Sequence, residues 1–380
     1  MPTNALILSG GGARAAYQVG VLQAVNELLP AGVHNPFPVI CGTSAGALNA
    51  LALATHAGSF YEAVQDLGGI WGELQTEKVF RTGWRDLLGG GGRLLASLFN
   101  EGVGKGKSIA LLDNEPLREF ASRHIHFPQL DAGLQKGDLK AVCVTAMNYS
   151  SGESMSFFQG DASVKEWRRY RRTGVKTQLS LDHLMASSAI PGIFPAVRLG
   201  RDYFGDGALR QVAPISPALH MGADRIFIVG VSGNRNPVHW AKPKLRARHS
   251  PSIGQVFGHL FSSAFIDSFE GDIEHLERVN HLLRLVPEKI LQEHGVQLKP
   301  VDTLIISPSK ELDKMAGRRI RHMPRSVRFF FRATGSTTKG GGATTSSYLL
   351  FEKPYIDDLI ELGYQDAMWE KEQIQAFFQV

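Results

Sequence analysis

The chain has 380 residues, 43% hydrophobic and 20% charged, with 41 Lys/Arg against 36 Asp/Glu for a net charge of +5. That balance excludes a disordered, coiled-coil or collagen-like chain and fits a globular one with a large core. No apolar run is long enough to span a bilayer, and no charged and apolar leader precedes Ala5, so the expectation is a cytoplasmic protein without a signal peptide or transmembrane segment.

Ala5–Leu8 is continuously apolar, as in a strand buried on both faces of a parallel sheet. Ser9 to Arg14 is a glycine-rich turn. A helix follows from about Ala15 to Leu29, with Val21, Leu22, Val25, Leu28 and Leu29 at helical spacing, and Pro30 stops it. Val39-Ile40-Cys41 reads as a short apolar second strand, followed by a sharp turn through Gly42-Thr43-Ser44-Ala45-Gly46 and an Ala/Leu-rich helix towards Ala57. Strand–helix–strand–helix predicts an α/β sheet.

From Gly58 to Asn114 the pattern loosens; helical pieces broken at Gly89–Gly92 read as an excursion over the site, either a lid or a surface loop. Leu139–Ala146 reads as a strand with Met155–Phe158 as its hairpin partner, Leu181–Ala189 as a helix, and Arg225–Val231 as another buried strand. Residues 235–252, rich in Pro, Arg and Lys, read as a linker; a long helical stretch over 253–285, a strand at Thr303–Ile306 and helices to Phe378 follow. The Gly/Thr/Ser run Lys339–Ser347 predicts a mobile loop. Cys41 and Cys143 sit in apolar strands and read as buried thiols.

A serine on a sharp strand-to-helix turn has its hydroxyl pushed into a cleft, and the helix start behind it favours developing negative charge. Ser44 is therefore the candidate nucleophile, with Gly42 and Gly46 letting the chain bend. The turn Gly10-Gly11-Gly12-Ala13-Arg14 can line up backbone N–H groups as oxyanion donors. In a parallel sheet both turns emerge at the carboxyl edge. Asp206, beside the small Gly207 and Ala208, is the candidate base.

Other readings compete. Gly10-x-Gly12-x-x-Ala15 matches a dinucleotide fingerprint, but the next strand ends in Cys41-Gly42 with no acidic residue for a ribose. Gly102–Ser108 imitates a phosphate loop one residue short. An α/β-hydrolase triad of Ser44, Asp206 and His220 or His239 meets the difficulty that only about one strand precedes the Ser44 strand. The histidines show no metal-ligand spacing, so no metal site is expected.

Basic residues cluster at Arg168-Arg169-Tyr170-Arg171-Arg172 and over 310–332, where Lys310, Lys314, Arg318, Arg319, Arg321, Arg325, Arg328 and Arg332 stand against Glu311 and Asp313. Such clusters suit an anionic membrane or an acidic substrate, and equally a solvated face; no nucleic-acid module is recognisable, and no nucleic-acid partner is expected.

In their order, the glycine turn at 10–14, the Gly-x-Ser-x-Gly at 42–46 and Asp206-Gly207-Ala208 resemble the signature blocks of patatin-like phospholipases. Leu112-Asp113 to Pro116-Leu117-Arg118, Ala186–Pro195 and Gly222-Ala223-Asp224 agree with them. The resemblance implies a three-layer α/β sandwich with a mostly parallel central sheet over residues 4–233. It does not explain the rest, which composition and helical pattern divide into a linker at 234–252 and a largely helical C-terminal extension, 253–380, expected to pack on that domain. It further implies a Ser44–Asp206 dyad without histidine. The amides of Gly10, Gly11, Gly12, Ala13 and Arg14 would form the oxyanion and substrate site, with Arg14 fixing the loop or a lipid phosphate, and neither metal nor organic cofactor is needed. The implied activity is phospholipase A or lysophospholipase-type hydrolysis of lipid acyl esters at a membrane or micelle surface. Acyl transfer, neutral-lipid or small-ester hydrolysis, and a non-catalytic basic membrane-binding protein are the alternatives. Ala15 and Val212 depart from the family's usual glycine and asparagine.

Overall fold

A computed structural model describes residues 2–97, 110–211, 213–231, 271–295, 298–333 and 343–380. Strand β1 (Asn4–Leu8) lies inside a ten-stranded sheet, between β2 (Val39–Thr43) and β9 (Arg225–Val229). Parallel pairing runs through β10 (Asp302–Ile306), β9, β1, β2 and β3 (Ala141–Asn148). β4 (Ser154–Gly160) folds back antiparallel on β3, and β6 (Arg172–Lys176) and β5 (Trp167–Arg169) extend that edge. β8 (Asp202–Asp206) pairs antiparallel with the end of β3, and β7 (Val197–Leu199) with β8.

The two-residue period of a strand divides the core. Leu6, Leu8 and Ile40 pack with helix α1 (Ala16–Leu28), while Ala5, Ile7 and Cys41 pack on the other face with Ile215, Met221 and Ile273. Helices thus cover both faces, and the expected three-layer sandwich with a mostly parallel sheet is present. Cys41 and Cys143 are register partners on adjacent strands, both buried free thiols.

The region beyond residue 300 is built into this body. β10 continues the parallel sheet next to β9. The helix Lys353–Trp369 lies against α1 so closely that a Cβ on Gly20 would come 1.8 Å from the Ile360 carbonyl, and one on Gly363 2.0 Å from that of Tyr17. Tyr17 Oη donates to Asp366 across the contact, at 2.9 Å.

Three expectations need correction. The Gly58–Asn114 stretch opens with a fixed part of the core: α2 (Ala45–Thr55) and α1 are covered by α3 (Phe60–Glu73), which buries Trp71. Gly89–Gly92 lies inside the helix Trp84–Ser97, where Gly90 meets the Leu111 carbonyl too closely for any side chain; packing overrides the poor helix propensity of glycine. The supposed loop at 339–347 ends in the helix Ala343–Leu349, whose Ser346 and Ser347 are buried. Composition indicated a solvated loop, and tertiary contacts supply the hydrogen bonds instead.

Within the 310–332 cluster, Arg319 forks onto Asp358 at 2.7 and 2.9 Å, and Lys314 pairs with Glu311 at 2.8 Å. The predicted linker, the first part of the 253–285 helix, Val212, His239 and Gly102–Ser108 lie outside the described residues; 271–285 is helical.

Candidate active site

Ser44 stands between β2 and α2 with φ 55° and ψ −127°, a conformation a side chain rarely adopts. The strain is held by packing. A Cβ on Gly42 would lie 2.3 Å from the Gly46 carbonyl, and one on Gly46 2.2 Å from the Leu8 carbonyl. The Ser44 N–H donates to Ser187 Oγ at 2.8 Å, and Ser187 Oγ donates on to the Thr145 carbonyl at 2.6 Å.

Asp206 ends β8, opposite Ala146 of β3, and its N–H donates to the Ala189 carbonyl at 2.8 Å. This pairing brings its carboxylate to the serine: Ser44 Oγ donates to Asp206 Oδ2 at 2.5 Å, and the Ala208 N–H donates to Oδ1 at 2.9 Å. Ser44 is 3% exposed and Asp206 fully buried. Burial pushes the Asp206 carboxyl up to about 7, partly offset by the bonds from Ser44 and Ala208. His220 is not at this site. It packs edge-on to Trp167 at 5.0 Å, and burial together with Arg169 and Arg172 lowers its pKa to about 4.

The glycine turn closes as a 3₁₀ turn over Gly12–Ala15, with Gly12 at φ +54°. The Arg14 N–H donates to the Gly11 carbonyl at 3.1 Å, so this expected oxyanion donor is already engaged, whereas the first amides of such a turn have no carbonyl partner within it and can face an anion. The turn is tied down from below. Gln18 Nε2 donates to the Ser9 carbonyl at 2.9 Å; Asn49 Nδ2 donates to Gln18 Oε1 at 2.8 Å and to the Ala15 carbonyl at 3.1 Å. Trp71 Nε1 completes the chain on Asn49 Oδ1 at 2.7 Å. Arg14 is 4% exposed and points into protein, bonded to Ser347 and paired with Asp313. It therefore braces the loop and is not open to a lipid phosphate.

Beside Ser44 lies an apolar pocket walled by Leu48, Trp71, Leu117, Phe194, Leu349 and Phe351. It is partly open to solvent.

Motif reading missed Ser187, the Gln18–Asn49–Trp71 chain and the C-terminal wall. Ser187 fell in a quoted block without a role. The others stand on regular helices whose spacing carries no chemical signature. Replacing Ser187 with Ala leaves the Ser44 N–H and the Thr145 carbonyl buried and unpaired, at about 1–3 kcal/mol each. A melting curve should show the lowered stability, and labelling of Ser44 by a fluorophosphonate should slow about tenfold as the elbow relaxes.

The chain belongs to the patatin-like phospholipase family, a class of lipid hydrolases: residues 6–219 match the family's model. It is 31% identical over 328 residues to a protein of Pseudomonas aeruginosa named cGAMP-activated phospholipase, covering 82% of this chain and 86% of that one. A crystal structure of VipD from Legionella pneumophila is similar at a TM-score of 0.36 and 12% identity, covering 98% of this chain and 67% of that one.

Proposed function

We propose that this protein is a serine acyl hydrolase of phospholipase A or lysophospholipase type, acting through an acyl-enzyme on Ser44 with Asp206 as general base. The observation that carries this reading is the 2.5 Å bond from Ser44 Oγ to a buried carboxylate with a pKa of about 7. Such a group can take a proton and give it back near neutral pH. Asp206 accepts the Ser44 proton as Oγ attacks the ester carbonyl, and the amides of Gly11, Gly12 and Ala13 hold the oxyanion. The alcohol, a lysolipid or a glycerophospho-alcohol, leaves with the proton from Asp206. Water then attacks the acyl-serine, again through Asp206, and releases the fatty acid.

A second element of the proposal is activation by a ligand. A relative carries cGAMP activation in its name, and the C-terminal residues Tyr348, Leu349 and Phe351 that wall the pocket beside Ser44 are a route by which a ligand can change access to it. The test is fatty-acid release from phospholipid vesicles with and without cGAMP, using Ser44→Ala as control. At least tenfold stimulation is expected, with no release by the variant. Equal rates with and without nucleotide remove the activation and keep the hydrolase. No release in either state, together with no fluorophosphonate labelling of Ser44, removes the hydrolase. Added alcohols that draw off acyl product would shift the reading to acyl transfer.

Membrane contact has its own candidate surface. On the helix Arg325–Ala333, Arg325, Arg328 and Arg332 share one face with Phe329, and none forms an ion pair among the described residues. Phe329 is 60% exposed, and its ring lies 5.4 Å from that of Trp84, itself 50% exposed; Leu88 next to it is 71% exposed. Cations around exposed aromatics suit an anionic lipid surface. Trp84→Ser with Phe329→Ser is expected to weaken binding to anionic vesicles about tenfold and leave hydrolysis of a soluble ester unchanged. Wild-type binding should weaken with added salt.

A further inference from the structure

Three consecutive glycines make the 10–12 turn costly to hold in one conformation, so its order must come from outside the turn. Arg14 supplies the outside contact. Its Nε donates to Ser347 Oγ at 2.9 Å, Nη2 pairs with Asp313, and the guanidinium carbon lies 3.9 Å over the centre of the Tyr348 ring. Asp313 is itself held by Ser347 Oγ at 3.0 Å and Thr344 Oγ1 at 2.6 Å. Burial works against a charge on Arg14, and the Asp313 carboxylate beside it is the counter-charge that opposes this. The same segment touches the turn directly: a Cβ on Gly12 would lie 2.1 Å from the Tyr348 carbonyl. Asp313, on the helix Leu312–Arg319, and Ser347, on the helix Ala343–Leu349, both lie outside the family-matched residues 6–219.

We propose that Asp313 is a positioning residue for the acyl-transfer site. It neutralises and orients the buried guanidinium of Arg14, and through Arg14 it holds the Gly11–Ala13 amides where an oxyanion forms. The consequence for turnover rests on the acyl-hydrolase reading given above; the bracing of the turn does not. Tyr348 and Leu349 also line the acyl pocket, so displacement of this one helix acts on pocket width and on the oxyanion donors together. In Asp313→Asn the buried cation loses its counter-charge, a loss an amide cannot offset. Arg14 then gains by turning to water, and the turn loses its brace.

The test compares the full-length wild type with Asp313→Asn and Asp313→Glu. Hydrogen exchange is followed at amides 11–14, and kcat and KM are measured on a soluble short-chain ester. Asp313→Asn is expected to exchange faster at these amides and to lose about 10- to 100-fold in kcat, since a small misplacement of oxyanion donors costs that much. KM should change less than about threefold, and Asp313→Glu, which keeps the carboxylate, should recover part of kcat. Wild-type exchange in Asp313→Asn overturns the proposal, as does a loss confined to KM or a glutamate variant no better than the asparagine one. Should Asp313→Asn fail to fold, Ser347→Ala takes its place. It is expected to loosen the same amides with a smaller kcat loss, and wild-type exchange and turnover there overturn the proposal. A wild-type protein with no esterase activity with or without cGAMP, and no fluorophosphonate labelling of Ser44, sinks the hydrolase reading and this chemical role with it, while exchange at 11–14 still decides whether Asp313 braces the turn.

Discussion

Asp206→Asn is expected to lower acyl-ester turnover by ~10³-fold or more, and Ser44→Ala to bring it to background. The asparagine keeps the shape of the carboxylate and its contact with the Ala208 N–H, but it cannot take the serine proton. The pH dependence adds a second reading of the same residue. With Asp206 at about 7, the base is protonated and idle in acid, so kcat/KM should rise with pH through about 7. Stability should run the other way. The folded pKa lies above the ordinary aspartate value of about 3.9; below about 4 both states carry the proton, and above it the unfolded chain ionises while the folded one resists. Stability therefore falls as pH climbs from about 4 to about 7. Asp206→Asn removes that penalty, and its melting temperature at pH 8 should exceed that of the wild type. A variant that is both inactive and less stable at pH 8 would mean that the carboxylate is structural.

Gly46→Ala carries the second large effect. Its added methyl would sit 2.2 Å from the Leu8 carbonyl and 2.6 Å from that of Ser9. Backbone at both points cannot swing aside as a flexible side chain can, so α2 has to withdraw from the end of β1. Overpacking of this kind costs about 1–3 kcal/mol or more. Here it also separates the two turns that carry Ser44 and the oxyanion amides. Thermal unfolding should show a fall of several degrees, and fluorophosphonate labelling of Ser44 should slow at least ~100-fold. Labelling at the wild-type rate would show that the elbow tolerates the displacement.

The order of strands, turns and helices through residue 57 was legible from the chain, because two- and 3.6-residue periods record which side of a local element faces the core. Glycines at 10–12, 42 and 46 and the Asp-Gly at 206–207 stood out for the same local reason: each marks a turn. Beyond that point legibility failed where the governing contact is distant. The meeting of Ser44 with Asp206, 162 residues apart, was expected only through the family resemblance, and in the fold it is set by β8 pairing on the end of β3. Ser187 matters only because that pairing also brings the end of the Leu181–Ser187 helix under the elbow. Arg14 finds Ser347 across 333 residues, in a Gly/Thr/Ser stretch whose composition indicates a loop and whose burial makes it a helix. By itself, then, the sequence determined the local bends and the residue types that chemistry requires. Only the tertiary structure decided which carboxylate reaches the serine, what braces the glycine turn and that the C-terminal segment walls the pocket, because packing between distant elements leaves no periodic trace in the chain.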